Sequence, residues 1–567
     1  MIVKNLKKKI KENPKDLESL FQLSLILAKS RKLNLAKDYL IKAIKIEPNF
    51  LAALVNLGNI EKELGNLVQS INFYKKVIKI NPNYVNAYYN LGIVYFELGD
   101  LKSSEISYRQ AIKIKPDYIN AHYNLAKLSQ ELGNLNDSIS FYKTVIKLNP
   151  NFVGAYNNIG LIFAELGRFH EAIKSYNKAI EIKPDHANSY NNLGLALTEL
   201  GNFDNAITYY KKALRYEPEN LAHLYYLKIL ENKTIDLKEK NKIYKIIKSK
   251  KKEYKNLAYG HFLIAKYDQK NKNYKKEFNN LIKGHDFYLK SQNKSFSKNI
   301  DYWLNELPKI RNLTFEHSIR LNQNDLSNIR PIFIVGVPRC GSTLVEKIIA
   351  SGKNKILMGE EAGVLQLFFH KNGIVNKKLI TNNDINDFNR GLTQLYKERV
   401  LTINKDNLIF TDKSLENFFY IGLIKQIFPN ATIINCKRNA LYSIMSIIKN
   451  NLSKMSWAHN LKNIFDYFDI YFHTIDFFKK KYPGFIYDLE LDKLINNPIN
   501  ESKKLFQFCN LEWSKECLEF YKRKDIVSKT ASNIQIRKPI FKNKKNKYYE
   551  YKQFLNKFSR KYNWFEN

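Results

Sequence analysis

Seven prolines, Pro14, Pro48, Pro82, Pro116, Pro150, Pro184 and Pro218, follow one another at a constant interval of 34 residues. A period held over that length restricts the fold more than composition does, because each unit must repeat one supersecondary element and bury its apolar face on its neighbours. Within a unit, as over residues 53–82, two helical patterns of apolar residues meet at a glycine-bearing turn. Gly58, Gly92, Gly160 and Gly194 recur at one offset, where paired helices must approach closely, and the closing proline stops the second helix.

Leu57-Gly58, Tyr74, Pro82 and their equivalents one period later resemble the tetratricopeptide repeat family from about residue 14 to 217. The resemblance implies an α-solenoid of helix-turn-helix units. Asn56, Asn90, Asn124, Asn158 and Asn192 form a ladder at one repeat offset, with Gln22 at the matching place in the first unit. One offset lines one surface of a solenoid. In repeats of the O-linked N-acetylglucosamine transferase type such asparagines line a groove, where an amide can clamp an extended peptide with a donor and an acceptor. A peptide-binding groove and an exposed position merely tolerant of asparagine both fit this ladder.

Beyond Pro218 the period weakens into a lysine-rich helical stretch, residues 235–256, and then a repeat-like pair at 257–290 without the closing proline. The chain is therefore divided into a repeat array (1–217), a helical linker with a degenerate repeat at 257–290 (218–328), and a second domain (329–567). Lys+Arg of 93 against Asp+Glu of 54 leaves 93 − 54 = +39, a balance that favours anionic partners. Lysine and asparagine are abundant throughout, however, and no arginine stripe or RNA-binding signature stands out, so no nucleic acid partner is expected. The four cysteines, Cys340, Cys436, Cys509 and Cys517, lack CxxC spacing, which speaks against a zinc site or disulfide framework. The N-terminus has no apolar leader and no run of about eighteen apolar residues follows, so a cytoplasmic protein without a membrane span is expected.

After residue 328 the texture changes. PIFIV (331–335) suits a buried parallel strand and runs directly into GVPRCGSTL (336–344) and the helical VEKIIAS. Strand, glycine loop and helix in that order present backbone N–H groups and a helix N-terminus to a phosphate. The spacing from Gly336 to Gly341, Ser342 and Thr343 mimics a Walker A loop but lacks its lysine. A metal-dependent nucleoside triphosphatase needs that lysine.

The loop resembles the 5′-phosphosulfate loop of sulfotransferases, and more narrowly that of tyrosylprotein sulfotransferases and of bacterial sulfotransferases fused behind tetratricopeptide repeats. The resemblance implies 3′-phosphoadenosine-5′-phosphosulfate (PAPS) as co-substrate, with no metal. Arg339, Gly341, Ser342, Thr343 and Leu344 would then hold its 5′ side. KRNALYSIMS follows the strand-like ATIINC, and its Arg438 and Ser446 match the pair that holds the 3′-phosphate in the family. TASNIQIRKPI (530–540) is similar to a late segment that closes over the donor, which would add Ser532, Arg537 and Lys538. One departure concerns the adenine side: where relatives carry a tyrosine this chain has Leu491, with Tyr487 a neighbouring candidate.

Sulfuryl transfer requires a base for the acceptor hydroxyl and positive charge on the departing bridging oxygen. MGEEAG (358–363) resembles the motif in which tyrosylprotein sulfotransferases keep their base. Matching letters points to Glu361, whereas counting from the loop points to Glu360. Lys413, in FTDKSLENF, matches the lysine the family uses on the transferring group, with Arg339 assisting and Asp412 as a candidate to orient it. His370 is the alternative base if the domain follows small-molecule sulfotransferases.

The expected fold is thus a tetratricopeptide α-solenoid followed by a P-loop-like three-layer α/β domain with a parallel sheet. The expected function is PAPS-dependent transfer to a hydroxyl, with protein tyrosine presented by the repeat groove as acceptor. A glycan or small-molecule acceptor, or a repeat scaffold whose second domain binds nucleotide without turnover, are the alternatives.

Overall fold

The structure, a computed structural model, describes residues 2–249, 253–292, 294–316, 329–354, 356–400, 409–453, 455–523, 539–540 and 548–565. The chain parts into two compact units, the first comprising Met1–Phe163 with Lys174–Pro184, the second Ala164–Ile173 with Asp185–Asn567.

The first unit is a succession of helix pairs, among them Leu51–Glu63 with Leu67–Ile80, Val85–Leu98 with Leu101–Ile114, and Ile119–Glu131 with Leu135–Leu148. Each repeat glycine is explained by a tyrosine sixteen residues on. A Cβ at Gly58 would lie 2.6 Å from Tyr74, and at Gly92 2.4 Å from Tyr108, so these positions hold glycine because a buried ring fills the space. A serine in the second helix then pins the pair. Ser70 and Ser104 donate to the carbonyls of Gly58 and Gly92 at 2.7 Å, and Ser138 donates to Ala126 at 2.6 Å.

The asparagine ladder bonds within the array. Asn56 Nδ2 returns to the Ala52 carbonyl at 2.8 Å, and Asn90 Nδ2 donates to Asn59 at 3.1 Å. Asn124 donates to the Tyr89 hydroxyl at 3.3 Å, and Asn158 to those of Tyr123 and Tyr142 at 3.0 and 2.9 Å. Each amide nitrogen in this group thus makes at least one bond inside the array, and that of Asn158 makes two.

In the second unit the helix pairs Ala187–Glu199 with Phe203–Tyr216 and Tyr254–Lys270 with Tyr274–Lys290 precede the strands. The strands are β1 (Thr314–Phe315), β2 (Arg330–Gly336), β3 (Leu357–Met358), β4 (Leu379–Ile380), β5 (Ile409–Asp412), β6 (Thr432–Lys437) and β7 (Ile486–Glu490). Five form a sheet in the order β3-β5-β2-β6-β7, every neighbouring pair parallel, while β1 and β4 pair separately. β2 is buried along nearly its whole length because PIFIV faces helices on both sides of a parallel sheet. A single apolar core runs from Leu221 to Phe565, so the linker and degenerate repeat share it with the sheet. Polar ties reinforce this: Lys449 pairs with buried Glu277 at 2.7 Å, and buried His285 and His459 meet through their Nδ1 atoms at 2.9 Å. Among the described residues no helix is long and apolar enough to cross a membrane.

Candidate functional site

In an open parallel sheet, ligands gather at the carboxyl ends of the strands, and there the sequence-derived residues converge. Gly336 ends β2, Glu360 and Glu361 follow β3, Lys413 follows β5, Arg438 follows β6, and Leu491 follows β7.

From Gly336 the chain turns through Arg339, held at a left-handed φ of 71°, and Gly341, at φ 99°, into the helix Ser342–Ala350. A side chain at Gly341 would be strained by that φ and would also meet Leu491 Cδ1 at 2.6 Å. Leu491, the departure from the family pattern, thus props the loop. Tyr487 stacks on Phe508 at 4.9 Å instead. Leu344 returns its N–H to the Gly341 carbonyl at 3.0 Å, closing the first helical turn. Ser342 and Thr343 head that helix, where N–H groups have no intrahelical acceptor.

Arg339, Arg438 and Ser446 come together. Arg339 Nε donates to Ser446 Oγ at 2.9 Å, and Arg438 Nη1 donates to the Arg339 carbonyl at 3.1 Å. Burial, and then the positive charge of Arg438, hold the Arg339 guanidinium below its usual pKa. Arg438 lies 5.4 Å from the centre of the Tyr442 ring, and its buried Nε has no hydrogen-bond partner among the described residues. Two adjacent guanidiniums and an orphaned N–H suit a polyanion such as a phosphate ester.

Beside them stands an acid–lysine cluster. Lys413 is fully buried and its Nζ lies 3.0 Å from Glu361 Oε1, while the Glu361 side chain is 48% exposed. Burial would lower the Lys413 pKa, but Glu361, Glu346 and Glu360 outweigh it and hold the ammonium above its usual value. Glu360 is buried, at a left-handed φ of 49°, and its carbonyl accepts from the Lys413 N–H at 2.8 Å. Asp412 does not orient Lys413. Its carboxylate accepts from Tyr396 Oη at 2.7 Å and from the Ser414 N–H at 2.9 Å, because neighbours at a strand end point to opposite faces. His370 is exposed and meets only the Tyr302 ring among the described aromatic contacts.

Two groups escaped the sequence reading. Glu346, on the helix after the loop, is fully buried and accepts from Thr411 Oγ1 at 2.7 Å and from the Glu360 N–H at 2.9 Å. Tyr548 is buried with its ring 5.2 Å from that of Tyr442. The only hint of either was an acidic residue in an apolar helix and a run of tyrosines after KPI. Ser532, Arg537 and Lys538 lie outside the described residues.

Residues 331–515 match the family model described as "Sulfotransferase family". This part of the chain is a sulfotransferase-family domain. Tetratricopeptide repeat models match residues 17–50, 58–99, 85–118, 106–133, 130–167 and 152–216. An uncharacterized protein of Aquifex aeolicus (strain VF5) is 32% identical over 242 residues, which make up 40% of this chain and 31% of that relative. The chain thus spans about a third of that relative's length. Among solved structures, the MamA protein is 29% identical, covering 30% of this chain and 93% of its own, at a TM-score of 0.28. YrrB, described as a tetratricopeptide protein with an unusual peptide-binding site, is 21% identical, with 32% and 95% covered and a TM-score of 0.28. A tetratricopeptide repeat protein from Parabacteroides merdae is 20% identical, with 40% and 91% covered and a TM-score of 0.34.

Proposed function

We propose that the chain transfers a sulfuryl group from PAPS to an acceptor hydroxyl, the acceptor being a tyrosine of a protein or peptide engaged by the repeats. The observation that carries this reading is the Arg438–Arg339–Ser446 chain of hydrogen bonds at the ends of β6 and β2, set beside a helix-capped glycine loop. Arg438 and Ser446 would take the 3′-phosphate. Backbone N–H groups at Gly341–Thr343, with the Ser342 and Thr343 hydroxyls, would take the 5′-phosphosulfate, the Leu344 N–H being bonded to the Gly341 carbonyl, and Ser532 and Lys538 would close over it.

Glu361 is the base in this reading, since its carboxylate reaches solvent while Glu360 is buried and engaged through its backbone. As the acceptor oxygen forms its bond to sulfur, the carboxylate of Glu361 takes the hydroxyl proton. The bond from sulfur to the bridging phosphate oxygen breaks, and its electron pair leaves with that oxygen. Lys413, kept protonated by the carboxylates around it, stabilises the charge that develops there, assisted by Arg339. The asparagine ladder would hold the acceptor chain through its amides, those of Asn56, Asn90, Asn124 and Asn158 being oriented by bonds their nitrogens make inside the array.

Calorimetry tests the donor assignment. Adenosine 3′,5′-bisphosphate should bind without Mg²⁺, and Arg438→Ala should weaken it by about 1.5–3 kcal/mol, the range for a hydrogen bond to a charged group. Tight ATP–Mg²⁺ binding with no bisphosphate binding would overturn it. Radiolabel passed from PAPS into a cell lysate should appear in protein tyrosine, and label confined to glycan or small metabolites would overturn the acceptor.

A further inference from the structure

Burying a carboxylate is costly unless hydrogen bonds and charge repay the lost hydration. Glu346 is nevertheless 0% exposed, on the helix that begins at the phosphate loop. One of its oxygens, Oε1, accepts both from the Glu360 N–H at 2.9 Å and from Thr411 Oγ1 at 2.7 Å. Oε2 has no hydrogen-bond partner among the described residues.

The segment it grips has little regular structure of its own. β3 is two residues long, and Glu360 after it sits at φ 49°, a conformation costing a non-glycine residue about 1 kcal/mol that the surroundings must impose. From Glu360 the connection continues, because its carbonyl accepts the Lys413 N–H at 2.8 Å, and Lys413 Nζ reaches Glu361 at 3.0 Å. Gly359 is tied to the Thr411 carbonyl at 2.9 Å. One carboxylate oxygen therefore joins the loop's helix, the acidic turn and the end of β5.

We propose that Glu346 is a positioning residue, a latch that holds the turn carrying Glu361 and the backbone of Lys413 in register with the phosphate loop. This rests on the sulfuryl-transfer reading, in which donor and acceptor activation must keep a fixed separation. Both donors meet Oε1 while Oε2 has no partner among the described residues, so the latch needs an acceptor oxygen at that place rather than a full charge; burial raises the Glu346 carboxyl above its usual range against the opposing pull of Lys413.

Glutamine tests that distinction, since its carbonyl keeps both acceptances. Glu346→Ala should raise hydrogen exchange at least about tenfold at the Glu360 amide, which loses its acceptor, and less at the Lys413 amide, whose acceptor is the Glu360 carbonyl of the loosened turn. It should lower kcat about a hundredfold, as misplacement by about 1 Å does, while adenosine 3′,5′-bisphosphate affinity stays within about twofold. Glu346→Gln should restore exchange and rate to within about threefold, and Thr411→Val, removing one of the two donors, should fall between. Unchanged exchange in Glu346→Ala, or Glu346→Gln as damaged as Glu346→Ala, would overturn the latch. Should Glu346→Ala not fold, Thr411→Val with wild-type exchange would do so. Failure of the transfer reading shows separately, as a wild-type protein that binds no bisphosphate, and leaves the exchange outcome to decide the latch.

Discussion

Glu360 and Glu361 are adjacent in sequence and differ in nearly every physical respect. Glu360 is buried and lends its N–H to Glu346 and its carbonyl to Lys413, whereas the Glu361 carboxylate is about half exposed and paired only at its tip. Glu361→Gln should therefore lower kcat by about 10²–10⁴, the usual contribution of a general base, with bisphosphate affinity little changed. Glu360→Gln should instead lower the melting temperature more than the rate. Steady-state kinetics with calorimetry and a thermal melt separate the two, and equal loss of rate would return the base to either residue. The acidic pair was legible in MGEEAG, but not the choice, because a left-handed turn decides which side chain faces out. Glu346 was not legible for a related reason: within VEKIIAS nothing local says that a helical Glu is buried, and only the fold brings Thr411 and the Glu360 N–H onto its carboxylate.

At the level of elements the sequence was most informative where one physical cause dominates. β-branched runs at 331–335 and 431–436 became the two central strands of the site, and the glycine offset became close helix contact. Ties made by partners far apart were not legible, such as Ser70 on Gly58 or His285, on the helix Tyr274–Lys290, against His459. That helix carries His285, whose Nε2 meets the Ile448 carbonyl at 2.8 Å, so its N–H donates there and its Nδ1 must accept from His459 Nδ1. Burial lowers the pKa of His285 to about 4 and of His459 to about 3, from 6.5. The unfolded chain thus takes up protons as pH falls below about 6.5 while the folded chain resists, and stability is lost between roughly pH 6.5 and 4. Each histidine should contribute a slope of up to about 1.4 kcal/mol per pH unit there and none above pH 7. All four tryptophans, Trp303, Trp457, Trp513 and Trp564, lie in the second unit, so their fluorescence in urea reports it alone. A midpoint independent of pH from 7 to 5 would contradict the neutral pair.

Across the whole chain, the period and the compact units divide it at different places. Repeats continue to Pro218, yet the second unit already includes the chain from Asp185. A solenoid has no internal boundary, since each repeat is stabilised by its neighbours, and wherever it is cut an apolar face is exposed. The helix Leu221–Leu230 depends on such a neighbour: Tyr226 stacks on Tyr210 at 6.2 Å, and Tyr210 and Ala213 of the helix Phe203–Tyr216 are buried. A chain beginning at residue 185 keeps that helix pair as a cap, whereas one beginning at 218 removes it. The shorter chain should lose about 2–3 kcal/mol, the cost of uncovering one or two large side chains, and melt about 3–4 °C lower. The same pair of truncations addresses the groove. Of the asparagine ladder only Asn192 survives in the chain from 185, so KM for a peptide acceptor should rise about tenfold, some 1.4 kcal/mol, while KM for the donor stays within about twofold. If both constants rise together, the repeats serve only to complete the fold; if the melting temperatures of the two truncations coincide, the helix pair at 187–216 is not the cap.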